Sequence, residues 1–141
     1  MDRSKILRMI SPSLTYIPQT MSSLLAFIDK HWKVITVLIL LLITILSLLP
    51  QPSLPEVPGT DKTHHFIAYS ALIFAIGLRM PKHWYWLFIG CIAWSGVIEL
   101  IQPYVNRYGE WLDLAANTGG LITGFLLARL CAKYFLVKDK S

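Results

Sequence analysis

The chain has almost no cysteine and few acids, and each shortage removes a class of function. Its two cysteines, Cys91 and Cys131, fall outside any metal or redox spacing. Each reads as a small apolar residue. Eight Asp and Glu against thirteen Lys and Arg leave only 15% of the chain charged, little for a soluble surface. A pI near 9.4 would suit nucleic acid. No basic, aromatic-interleaved fold is available to provide that binding, so none is expected. Leu49-Pro50-Gln51-Pro52 is no small-residue cleavage site, so the first apolar run is expected to stay as an anchor.

What the chain does have is apolar residue: 55% by count, with a mean hydropathy of +0.54. Its cations are dealt out along four apolar runs with a consistent bias. Arg3, Lys5, Arg8, Lys30 and Lys33 precede the uncharged run Val34–Leu49, and only Lys62 follows it. Arg79 and Lys82 separate the second and third runs, Arg107 alone separates the third and fourth, and Arg129, Lys133, Lys138 and Lys140 close the chain. Short loops rich in Lys and Arg stay cytoplasmic. Eleven of the thirteen cations then lie on one side, with both termini inside. The expected fold is an all-α membrane protein, a four-transmembrane-helix bundle, N-in and C-in. Residues 1–33 form a basic cytoplasmic segment, 34–137 the membrane domain and 138–141 a basic tail that meets anionic headgroups.

Local signals divide the runs. Pro12 and Pro18 break the basic segment, and Ser22–Trp32 is expected as a short helix on the inner leaflet, with Leu24, Leu25, Phe27 and Ile28 toward lipid. Trp32 extends Val34–Leu49 toward a full span of about 20 residues. Pro50, Pro52, Pro55 and Pro58 forbid further helix and make an outer loop. The second span starts at a Thr60 or Asp61 cap and runs to about Arg79, ahead of Pro81. The third covers Trp84–Gln102 and is stopped by Pro103; the fourth covers about Trp111 to Val137. Trp84, Tyr85 and Trp86 at one end, and Tyr104 and Tyr108 at the other, sit where aromatic belts belong. Gly120 and Gly124 form a small-xxx-small pair whose plain reading is helix packing.

Three outer helix ends carry the polar residues. Asp61, His65 and Tyr69 recur every four residues on one face, with Lys62 beside them; Glu99 and Gln102 share a second face, and Asp113 and Asn117 a third. At a rise of 1.5 Å per residue, His65, Glu99 and Asn117 each lie roughly 5 Å in from their helix ends. One polar layer follows if the helices are neighbours. Ionisable groups in a span face the bundle interior and need partners. The outer-side cations are Lys62 and Arg107, among Glu56, Asp61, Glu99, Glu110 and Asp113.

The stretch Asp61-Lys62-Thr63-His64-His65-Phe66-Ile67-Ala68-Tyr69 resembles the D-K-x-x-H-F-x-x-Y signature of the VanZ-like family. Glu99-Leu100-Ile101-Gln102, Arg107, and Asp113 with Asn117, Gly120 and Gly124 resemble that family's second block. The turn Asn106–Trp111 departs from the pattern by being bulkier. The resemblance implies a multi-pass protein of the bacterial cytoplasmic membrane, from a family associated with teicoplanin resistance and without a settled reaction.

Three readings of these residues compete. In the plainest they only join helix ends, with Thr60 or Asp61 and Asp113 as caps, Arg107 bridging Asp113 or Glu99, and Gln102 and Asn117 satisfying loop backbone. In the second, Lys62 and Arg107 contact the phosphate of an anionic lipid headgroup or envelope intermediate, oriented by Tyr69, Gln102 and Asn117, and drug susceptibility follows. In the third, His65, Glu99 and Asp113 supply acid and base to an enzyme acting on a lipid-linked substrate. No cofactor is expected. Neither is a metal, since Asp-x-x-x-His is an ordinary polar face. Ion conduction is disfavoured by the apolar inner halves of the spans. His31, His64 and His83 read as interfacial surface residues.

Overall fold

A computed structural model describes residues 19–50 and 60–136. Its elements are α1 (Gln19–Lys30), α2 (Trp32–Leu48), α3 (Asp61–Arg79), α4 (Trp84–Ile101), a 3-10 turn (Gln102–Val105) and α5 (Trp111–Phe135). The proline-rich loop 51–59, the first 18 residues and the tail from 137, all given roles above, lie outside the described residues.

α3 begins as its sequence directs. Thr60 is extended and its hydroxyl accepts from the Thr63 N–H, while Asp61 in the first turn and Arg79 in the last complement the helix dipole. It closes at Met80, left-handed at φ 49°, whose N–H reaches the Ile76 carbonyl. Pro103 ends the α-helix of the third run as expected, the last α-helical residue being Ile101 against an expected Gln102. It occupies the first turn of the 3-10 segment, where a missing N–H costs nothing, and the chain winds on to Asn106 at φ 58°. The amino-terminal helix differs from expectation. It ends at Lys30, and its axis turns by 81° into α2. Leu24 and Phe27 are exposed as expected, but Leu25 is buried against Leu78 and Ala128, with Ile28 packed beside it.

α3 is the centre of the bundle. Its buried residues run from His65 to Leu78, and α5 crosses it over most of its length. A Cβ on Gly120 would strike the Phe66 carbonyl, one on Gly124 the Ser70 carbonyl, and one on Gly77 would lie 2.7 Å from Ala128. Small residues thus set how closely the two backbones approach, and Ser70 Oγ donates across the gap to the Gly120 carbonyl (2.9 Å). Gly120 and Gly124 pack helices, as read.

Polarity is distributed inside out. Ser95, Glu99, Gln102, Asp113 and Asn117 are buried, whereas Val37, Leu38, Leu41, Ile89, Ile122 and Leu126 stand exposed. An apolar exterior around a polar interior suits lipid as the surrounding medium. Among the described residues, two stretches are each long and apolar enough to cross a membrane: Trp84–Val105 and Trp111–Phe135. The bent α1–α2 pair makes a third if taken as one span. α3, shielded by its neighbours, carries polar residues that a lipid-facing helix would not. The contacts below gather the carboxy ends of α2 and α4 with the amino ends of α3 and α5 at one end of the bundle.

Candidate functional site

The polar residues on three helices do meet in one layer. His65 and Asn117 project from α3 and α5 toward each other, with His65 Nδ1 and Asn117 Oδ1 3.1 Å apart. The Asn117 amide donates in turn to Ser95 Oγ of α4 (2.7 Å). With its nitrogen committed to Ser95, the amide oxygen can only accept, so Nδ1 of His65 carries the proton. In the neutral ring that leaves the Nε2 lone pair facing Asp61 Oδ2 at 3.8 Å.

Arg107 closes the layer. Its Nη2 lies 3.6 Å from Asp61 Oδ2, and its Nη1 donates to the Leu46 carbonyl (2.9 Å). Gln102 Nε2 donates to the neighbouring Ser47 carbonyl (3.2 Å). Both acceptors belong to the last turn of α2, where the Leu46 and Ser47 carbonyls lie beyond the last intrahelical bond, from the Leu49 N–H to Ile45. Arg107 and Gln102 therefore cap α2, and the guanidinium also meets the negative end of its dipole.

Glu99 and Lys62 serve the loop before α5. Glu99 Oε2 accepts from the Glu110 N–H (3.1 Å), and Gly109 rests on the Glu99 carbonyl too closely to allow a side chain. That glycine supplies the small position the turn needs despite its bulky neighbours. Lys62 Nζ donates to Glu110 Oε2 (2.7 Å) and lies 3.6 Å from Asp113 Oδ1. Three details of the helix-joining reading are thereby corrected, the first being that Asn117 bonds the side chains of His65 and Ser95 and not loop backbone. Glu110, not Asp113, holds the cap position of α5, and Arg107 bridges Asp61 rather than Asp113 or Glu99. Tyr69 lies in the apolar core, beneath the layer.

A cleft of about 390 Å³ opens between α2 and α3. Asp61, His64, His65 and Arg107 line its polar part, and Ile39, Leu42, Ile43, Leu46 and Ala68 its apolar part. Of the residues singled out from sequence, Asp61, His65 and Arg107 face this cleft, while Lys62, Tyr69, Glu99, Gln102, Asp113 and Asn117 do not line it. His64, read as a surface residue, does. Ser95 was visible only as a polar break in an apolar run, and the Leu46 and Ser47 carbonyls carry no side-chain signature at all.

Asp61, His65 and Asp113 place one ligand atom each within 4.8 Å of one another, so their spacing fits a metal ion. Each carboxylate of the trio already faces a cation, Arg107 beside Asp61 and Lys62 beside Asp113. Lys62 is shared with Glu110, so the two cations stand among four carboxylates, Asp61, Glu99, Glu110 and Asp113.

Comparison with models of protein families, with curated proteins and with solved structures finds no match for this chain.

Proposed function

We propose that this is a VanZ-like protein of the bacterial cytoplasmic membrane, with four spans and both termini inside. Its outward cleft binds the headgroup of an anionic lipid or lipid-linked envelope intermediate. The carrying observation is the cleft between α2 and α3, polar where Arg107, His64 and His65 stand and apolar beyond them. A lipid has that same division. Asp61 is half exposed and shares Arg107 at 3.6 Å, so an incoming phosphate can displace it and take the guanidinium fork. Binding of this kind accounts for an effect on glycopeptide or lipoglycopeptide susceptibility through the lipid-linked component it handles.

The test is lipid retention together with drug sensitivity. Native mass spectrometry of the purified wild type is expected to show a co-purifying anionic lipid. Arg107→Gln is expected to lose about tenfold in retention, the worth of one charged hydrogen bond. Wild-type retention and wild-type drug sensitivity in Arg107→Gln and Lys62→Ala would reject the reading.

A second reading is favoured by the capping of α2: Arg107 and Gln102 both end on its last carbonyls. On that reading the polar layer only joins helices, and Gln102→Leu and Arg107→Gln destabilise the bundle equally with no ligand to lose. The enzyme alternative would use the His65–Asp61 pair as acid and base. Ser95, the hydroxyl nearest that pair in the chain of contacts, is already held by Asn117.

A further inference from the structure

The opposite end of the bundle carries a larger cleft, of about 1190 Å³, between α1, α3 and α5. Its polar rim holds three cations, Arg79, Arg129 and Lys133, against one acid, Asp29. Arg79 Nη1 lies 3.3 Å from Asp29 Oδ2. Arg129 Nη1 donates to the Gly77 carbonyl (3.2 Å), one of the last four of α3, which fixes the guanidinium at the rim. A guanidinium has five N–H donors, so this cap uses few of them. Leu78, Leu130 and Phe135 line the cleft below the cations.

α1 makes one wall. Leu25 anchors it on Leu78 and Ala128, while Met21, Leu24 and Phe27 remain exposed along its length. Since α1 turns 81° away from α2, a membrane-crossing α2 lays α1 close to the membrane plane. An amphipathic helix in that position sits at headgroup depth. The cleft it walls off therefore opens where phosphates are.

We propose that this cleft binds an anionic phospholipid of the cytoplasmic leaflet. Its phosphate lies among Arg79, Arg129 and Lys133, and an acyl chain runs along Leu78, Leu130 and Phe135. Basic pockets between membrane helices on the cytoplasmic side recognise such headgroups, and the guanidinium fork matches a phosphate. A zwitterionic lipid brings an ammonium group, and among the described residues the acid lining the cleft to face it is Asp29, already paired with Arg79. The inference rests on this end facing the cytoplasm. It uses no residue of the outer cleft, so either site can fail without the other.

The experiment is native mass spectrometry of the full chain, offered equal phosphatidylglycerol and phosphatidylcholine. The wild type is expected to keep phosphatidylglycerol preferentially, and Arg129→Gln/Lys133→Gln to keep it roughly thirtyfold less well. Ala26→Trp puts a bulky ring on the cleft wall and leaves every charge in place, and it is expected to weaken lipid retention as well. Lys30→Gln/Lys33→Gln removes two cations at the same end outside the cleft lining and is expected to behave like wild type. Equal loss in that control, or full retention in Ala26→Trp, would overturn the proposal. Should the double glutamine variant fail to fold, as read by circular dichroism, Ala26→Trp and the lysine control still decide it.

Discussion

Replacing Asn117 with leucine keeps the side chain's size and removes the joint between three helices. Two hydrogen bonds go, one to His65 of α3 and one to Ser95 of α4. Side-chain bonds between membrane helices average about 0.6 kcal/mol, so the pair accounts for about 1.2 kcal/mol. The larger cost is what stays behind. His65 and Ser95 are both buried, and a stranded buried donor costs about 1–3 kcal/mol. The expected loss is therefore about 2–4 kcal/mol. Reversible unfolding by sodium dodecyl sulfate in mixed micelles, followed by circular dichroism, measures it. Ser95→Ala alone and Asn117→Leu/Ser95→Ala complete a double-mutant cycle. The double variant is expected to cost less than the sum of the singles, because both remove one bond. A loss below about 0.5 kcal/mol for Asn117→Leu, the scale of an ordinary surface change, would refute the reasoning. Strict additivity would refute it too.

Other outcomes follow from the same geometry. Gly124→Ala drives a methyl group into the Ser70 backbone of α3 and is expected to cost about 1–3 kcal/mol in the same unfolding assay. Gly90→Ala meets nothing within 4 Å inside a helix and is expected to raise stability slightly, by about 0.5 kcal/mol. Arg107→Lys keeps the charge and loses the fork, so it is expected to retain less lipid than wild type in native mass spectrometry while keeping most of the stability. Elemental analysis after exposure to zinc is expected to find well under one ion per chain, because Arg107 and Lys62 already face the carboxylates of the Asp61–His65–Asp113 trio. A stoichiometric ion would reassign that trio as ligands.

Much of this arrangement was legible because its signals are local. A threonine cap, a run free of charge and an i, i+4 polar face each act within a turn or two of helix. They placed α3 at Asp61–Arg79 and put Asp61 and His65 on one side of it. The glycines of α5 were legible for the same reason: a missing side chain on one face has one plain use inside a membrane. What stayed hidden depends on backbone and on distance. Nothing in Leu46 or Ser47 announces that their carbonyls would need Arg107 and Gln102, since an orphan carbonyl belongs to any helix end. Glu99 was expected to need a partner, and the one it finds is the Glu110 N–H, a donor every residue but proline carries. The bend at His31 has no proline or glycine to mark it; Leu25 burying itself against Leu78 and Ala128 accompanies it, a contact far away in sequence. Pro103 marked the end of the α-helix to within a residue, but nothing local announced the 3-10 turn it opens.

Cysteine labelling in intact cells asks whether the polar layer faces outward. With Cys91 and Cys131 replaced by alanine, Tyr108→Cys places a thiol at a position 85% exposed beside Arg107. Lys82→Cys places one in the turn between α3 and α4, at the other end of the bundle. Tyr108→Cys is expected to react with a membrane-impermeant maleimide in whole cells, and Lys82→Cys only after permeabilisation. The reverse pattern, or equal labelling of both before permeabilisation, would contradict an outward-facing cleft.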